Sequence, residues 1–137
     1  MKNFRDLKVW EKAHRLALQV YRITSTFPKD ELYGLTSQMR RASTSIPANV
    51  AEGCGRGGDA ELSRYLRIAM GSASELEYHI LLAKDLGLLK HETYQQTNRD
   101  TEEVKKMLAA FVGKIGQGRT TKGPNGKRPA ISAVADR

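Results

Sequence analysis

Between Leu35 and Val50 the apolar residues Leu35, Met39, Ala42, Ile46 and Val50 recur at spacings of three and four, the period of one helix face. A polar row, Gln38, Arg41, Ser45, Asn49 and Glu52, repeats beside it at the same spacings. Ser37, Thr44, Ala48 and Ala51 leave the remaining surface small. The only charges from Leu32 to Ala51 are Arg40 and Arg41, fewer than a solvent-facing helix carries. The pattern predicts a second helix covered on more than one side, with its polar row paired. Pro47 has no N–H for the Ser43 carbonyl and predicts a bend. Gly53 to Gly58 predicts the helix end, with Arg56 exposed in the loop.

Three further helices follow from the same periodicity. The first spans about Asp6 to Thr26, with Asp6 as N-cap and a core stripe of Leu16, Val20, Ile23 and Phe27 widened by Trp10, Ala13, Ala17 and Tyr21. Phe27-Pro28 ends it, and Lys29 to Gly34 reads as a short turn or 3₁₀ segment. The third begins at Asp59 as N-cap and closes at Gly87. It carries one seam of Leu62, Leu66, Ala69, Ala73, Leu76, Ile80 and Ala83, and beside it a second of Tyr65, Ile68, Ser72, Glu75, His79, Leu82 and Leu86. Two seams predict partners on two sides. The fourth helix follows Leu88-Leu89 and carries Tyr94, Thr97, Thr101, Val104, Leu108, Phe111 and Ile115. Residues 116–137 are rich in Gly, Pro and Lys/Arg without a period and read as a disordered basic tail. The expected fold is an all-α, antiparallel up-and-down four-helix bundle over residues 1–115 with that tail attached.

Charge changes the picture more than composition does. The chain of 137 residues carries a net +8, of which Lys114, Arg119, Lys122, Lys127, Arg128 and Arg137, against Asp136, place +5 beyond Val112 and leave +3 for the rest. Within the bundle, Arg5, Lys8, Lys12, Arg15, Gln19 and Arg22 line one face of the first helix, a basic ribbon about 25 Å long at 1.5 Å per residue. The residues expected to meet nucleic acid are Arg5, Lys8, Lys12, Arg15 and Arg22 of that ribbon, Arg40, Arg56, Arg64 and Arg67, and Lys122, Lys127 and Arg128 of the tail. Their contacts would be to phosphates and therefore steeply salt-dependent. No zinc finger, GXXG clamp, RNP aromatic motif or helix-turn-helix spacing accompanies them.

Other chemistry finds little footing. Glu11-x-x-His14 has the spacing of di-iron bundles, but Glu75 and His79 stand four apart and the second and fourth helices offer no inward pair, so no metal or cofactor is expected. The glycines from Gly53 to Gly58 lie between two helices, without the strand and Lys-Ser/Thr of a phosphate loop. Cys54 is the only cysteine and reads as a small residue near a helix end. Ser43 and Ser45 lack a His/Asp pair to activate them. The Gln38, Arg41, Ser45, Asn49 and Glu52 row reads as a structural network fixing bundle or subunit register, for example through Arg41 to Glu52 of a neighbouring subunit. An enzyme is not expected. With no apolar leader and no membrane-length apolar run, a cytoplasmic protein is.

The spacing Leu35-Gln38-Arg41-Ala42-Ser45-Ile46-Asn49-Ala51-Glu52-Gly53-Arg56, with the opening Phe4-Arg5-Asp6-Leu7-Lys8-Val9-Trp10 and with Phe27-Pro28-Lys29, resembles the four-helix-bundle proteins encoded in intervening sequences of 23S rRNA genes. More distantly it resembles the accessory protein of diversity-generating retroelements. Cys54 stands where that pattern has an aromatic, and the long tail is a second departure. The two-sided second and third helices predict a homo-oligomer, and the resemblance implies a ring of five. Together they point to a non-enzymatic scaffold that binds RNA or a ribonucleoprotein through clustered Lys/Arg. The alternative is an adaptor for an enzyme partner such as a reverse transcriptase.

Overall fold

The computed structural model describes residues 2–121, without the side chains of residues 118–121. Four helices form: α1 Lys8–Thr24, α2 Ser37–Arg56, α3 Asp59–Asp85 and α4 His91–Thr121. They pack in chain order, and α1 against α4 closes the circuit. Short connections force neighbours to run antiparallel, which makes an up-and-down bundle. No strand occurs among the described residues.

Local chemistry moves several expected boundaries. Asn3, not Asp6, supplies the first cap: its side chain accepts the Arg5 N–H at 3.1 Å and starts a 3₁₀ turn over Phe4–Asp6. Extended Leu7 then separates that turn from α1, so Asp6 lies outside the helix it was expected to cap. At the other end the Thr24, Ser25 and Thr26 hydroxyls bond back to the Val20, Arg22 and Ile23 carbonyls. Such local bonds compete with helix continuation, and α1 stops at Thr24. A 3₁₀ turn, Lys29–Glu31, and a π-type turn, Leu32–Thr36, lead into α2. Gly34 breaks the helical backbone there at φ −109° and ψ −112°.

α2 runs through the buried Pro47 and also through Gly53, where the sequence reading ends it. Gly53 is buried because α3 approaches closely: a Cβ there would lie 3.0 Å from Tyr65 Cβ and 3.1 Å from Leu62 Cδ1. The reversal falls instead at Gly57 (φ 74°) and Gly58 (φ 99°), left-handed values that glycine adopts without penalty. Gly58 rather than Asp59 is the N-cap of α3. Asp59 sits in the first turn, where a carboxylate suits the helix dipole. Leu88 N–H bonds to Ala83 O and Gly87 N–H to Lys84 O, both at 2.9 Å, a Schellman ending with left-handed Gly87 as predicted. α4 continues past Ile115, which is itself buried. Extending a helix already packed adds one backbone bond per residue without a new nucleus. The tail expected from residue 116 therefore begins as helix; residues 122–137 lie outside those described.

The core contains every residue of the first α3 seam, with Met39, Ala42, Ile46 and Val50 of α2 and Leu16 and Val20 of α1. Val9 of α1 and Val112 of α4 join it, while Phe111 is half-buried. Buried hydroxyls are paired: Thr101 Oγ1 donates to Thr97 O at 2.8 Å, and Thr97 Oγ1 accepts from Gln19 Nε2 at 2.9 Å. The second α3 seam is only half covered. Ser72, Glu75, His79 and Leu82 are half-buried, and Ile68 and Leu86 are 42% and 55% exposed.

Candidate nucleic-acid interface

The α1 ribbon lies along the α4 side of its helix, and α4 partly neutralises it. Lys12 Nζ lies 2.8 Å from Glu103 Oε1, and Arg15 Nη2 lies 3.2 Å from Glu11 Oε2 on its own helix. Lys12, Arg15 and Arg22 share a groove with Asp100 and Glu103. A polyanion there would meet carboxylates as well as cations, so the ribbon is not the uniform basic surface its spacing suggests.

The bundle gathers other cations at one end. α1 begins, α2 ends and α3 begins there, with the Lys2 N–H 3.4 Å from Cys54 O. This brings Lys2, Arg5 and Lys8 toward Arg56 and Arg64. Arg56 is in the last turn of α2 rather than in a loop. It reaches Glu52 at 3.0 Å and the Tyr65 hydroxyl at 2.9 Å, its guanidinium 5.3 Å from the Tyr65 ring centroid. Arg64 sits 4.7 Å from the same centroid and 3.4 Å from Glu61. Arg67 is exposed one turn further along α3. Arg40 stands apart, toward the opposite end. Its Nε donates to Thr24 Oγ1 at 2.8 Å and its guanidinium lies 4.6 Å from the Tyr21 centroid. Lys122, Lys127 and Arg128 fall outside the described residues.

The polar row of α2 meets the second seam of α3 within one chain. Arg41 Nη2 bridges Gln38 Oε1 at 2.7 Å and Glu75 Oε2 at 2.6 Å. Glu52 pairs with Arg56 of its own helix at 3.0 Å. Ser45 and Ser72 hydroxyls lie 2.7 Å apart, and Asn49 Nδ2 donates to Ser45 Oγ at 3.0 Å. His79 Nε2 is 3.8 Å from Glu75, while its buried Nδ1 meets no partner among the described residues. Burial holds the His79 imidazole below its ordinary range; Glu75 opposes that and Arg41 reinforces it. Burial likewise pushes the Cys54 thiol up against the pull of Lys2, which keeps it protonated and unreactive.

An aromatic row on α1 has no counterpart among the expected sites. The Phe4 ring meets Trp10 edge-on at 4.9 Å, and Trp10 stacks on His14 at 5.0 Å with planes 6° apart. The i,i+4 spacing of Trp10 and His14 is the only sign of this in the sequence, and it is masked there by reading Trp10 as core. His14 thus stacks, and Glu11 pairs with Arg15. No group of three metal-ligating side chains gathers among the described residues. No helix among them is long and apolar enough to cross a membrane.

The crystal structure of a protein of unknown function from the S23 ribosomal protein family of Bacteroides thetaiotaomicron is similar to this chain at 26% identity. The match covers 76% of this chain and 97% of that one, with a TM-score of 0.69. No curated protein matches. A family model described as 23S rRNA-intervening sequence protein matches residues 5–110, nearly the whole bundle, and the chain belongs to that family.

Proposed function

We propose that this protein is a non-enzymatic, homo-oligomeric scaffold that binds RNA through clustered Lys and Arg. The observation that carries this reading is the convergence of Lys2, Arg5, Lys8, Arg56 and Arg64 at one end of the bundle, where Lys2, Arg5 and Lys8 form no ion pair among the described residues and Arg56 and Arg64 pair only with carboxylates of their own helices. Membership of a family named for a 23S rRNA intervening sequence supports RNA as the partner. α4 ends on the same side as this cluster, so Lys122, Lys127 and Arg128 follow from it in the chain. Contacts of this kind are made to phosphates and carry little base information.

Oligomerisation is part of the proposal. Ile68 and Leu86 are exposed beside the half-buried Ser72, Glu75 and His79, and Thr44 and Ala48 of α2 leave a small, uncharged border. The Gln38, Arg41, Ser45, Asn49 and Glu52 row is read as holding α2 and α3 in register beneath that surface. A ring would repeat the cationic end and multiply modest affinity. The resemblance to intervening-sequence proteins suggests five copies.

The test is fluorescence anisotropy with a labelled rRNA fragment across a salt series. The full-length protein is compared with one carrying Lys122→Gln, Lys127→Gln and Arg128→Gln, and with one carrying Arg56→Gln and Arg64→Gln. Steep salt dependence that survives the tail changes and falls with the α2–α3 changes is expected. No binding at about 50 mM salt, where phosphate contacts are strong, would refute RNA binding. A monomer by light scattering would refute the oligomer.

A further inference from the structure

Cations on this bundle meet carboxylates, aromatic rings or both: Arg56 and Arg64 meet both, and Lys84 lies on the Tyr94 ring. Lys12, Arg15, Arg41, Arg56, Arg64 and Lys105 each lie against a carboxylate. Arg5 and Arg40 lie on aromatic rings instead, 4.5 Å from the Phe4 centroid and 4.6 Å from the Tyr21 centroid. Neither meets a carboxylate among the described residues, so each keeps its whole charge. Of the five guanidinium N–H groups of Arg40, two are engaged, by Thr24 Oγ1 and Tyr21 O.

These two arginines mark the ends of one row of rings. Phe4 abuts Trp10, Trp10 stacks on His14, and Tyr21 follows two turns along the same face, since spacings of four and seven return to one side of a helix. His14 and Tyr21 are exposed and Trp10 is half-buried. From Trp10 to Tyr21 the row is about 17 Å long at 1.5 Å per residue.

We propose that this flank of α1 is a base-stacking track for single-stranded RNA, with bases on the exposed His14 and Tyr21 faces that Trp10 and Arg40 leave open, Trp10 backing His14, and phosphates on Arg5 and Arg40. The inference rests on the RNA-binding reading and adds the form of RNA and the place where it lies. Aromatic faces between unpaired cations are how single strands are held without sequence preference. A duplex buries its base faces and could not use the rings. An acidic peptide would satisfy the arginines but has no planar groups for the faces between them.

Trp10 is the only tryptophan, so its emission reports this flank alone. Full-length protein is titrated with an oligouridine of about twelve nucleotides, within the usual range of single-strand site sizes, while anisotropy of a labelled copy is followed in parallel. Inorganic polyphosphate serves as the base-free control. The expected result is saturable quenching of Trp10 that tracks the anisotropy, with none from polyphosphate. His14→Ala, at an exposed position, weakens binding about tenfold at unchanged salt slope, because one stacking face is lost. Arg40→Gln lowers the salt slope by about one. Anisotropy that rises while Trp10 emission stays constant and His14→Ala binds like wild type would overturn the track and leave RNA binding standing. No rise in anisotropy would overturn both.

Discussion

Gly53 offers a direct test of how α2 and α3 are joined. Its absent side chain lets Leu62 and Tyr65 approach: an added Cβ would lie 3.0 Å from Tyr65 Cβ, 3.1 Å from Leu62 Cδ1 and 3.4 Å from Leu62 Cα. Gly55, two residues on in the same helix, has nothing within 4 Å. Both positions are helical, so Gly→Ala should contribute up to about 1 kcal/mol of helix propensity at either site, less toward the frayed end. At Gly53 an overpacking cost of about 1–3 kcal/mol opposes that gain. Leu62 Cδ1 can rotate away, but Tyr65 Cβ moves only with the α3 backbone. Gly53→Ala is therefore expected to be destabilising by about 1 kcal/mol net and Gly55→Ala to be neutral or slightly stabilising. By the usual size scaling this separates their melting temperatures by several degrees. Thermal and urea unfolding at one fixed protein concentration measures the difference, since an oligomer's stability depends on concentration. Displacing Tyr65 should also loosen Arg56 and Arg64, which rest on its ring and hydroxyl. Equal stabilisation by the two substitutions would refute the close-approach account and return Gly53 to being an ordinary chain-reversal glycine.

Two other outcomes follow from the interior. Because burial lowers the His79 pKa, the folded chain binds its proton less readily than the unfolded chain does. The resulting stability is present above the ordinary imidazole range near pH 6.5 and is lost as pH falls through the lower folded value. As pH falls below about 6.5, wild type should lose stability more steeply than His79→Gln, and parallel curves would contradict the burial. Arg41→Ala should raise the His79 titration midpoint followed by NMR, since Arg41 disfavours the imidazolium. Leu76, fully buried at the middle of the α3 seam, should cost about 2–5 kcal/mol on truncation to Ala, measured by urea unfolding. A cost below about 1 kcal/mol would mean that the site collapses around the gap.

Periodicity alone carried the architecture. Leu62 through Ala83 on α3, and Met39, Ala42, Ile46 and Val50 on α2, were assignable to the core because helix geometry puts every third or fourth residue on one side, and all of them are buried. Gly87 was legible for a similar reason, since its role depends on backbone conformation a few residues away. Where a glycine's role depends on a neighbour in space, sequence misleads: Gly53 looks like an end signal, yet α2 continues through it because α3 needs the room. Charge placement divides along the same line. That Arg41 and Lys12 are basic is written in the chain, but their bonding to Glu75 and Glu103, separated widely in sequence, depends on which helices become neighbours. The same holds for Arg5 and Arg40, left without carboxylates among the described residues at the two ends of a row of rings. Local spacing determines which residues share a helix face. Only the packing of four helices decides which charges are cancelled and which remain for a partner.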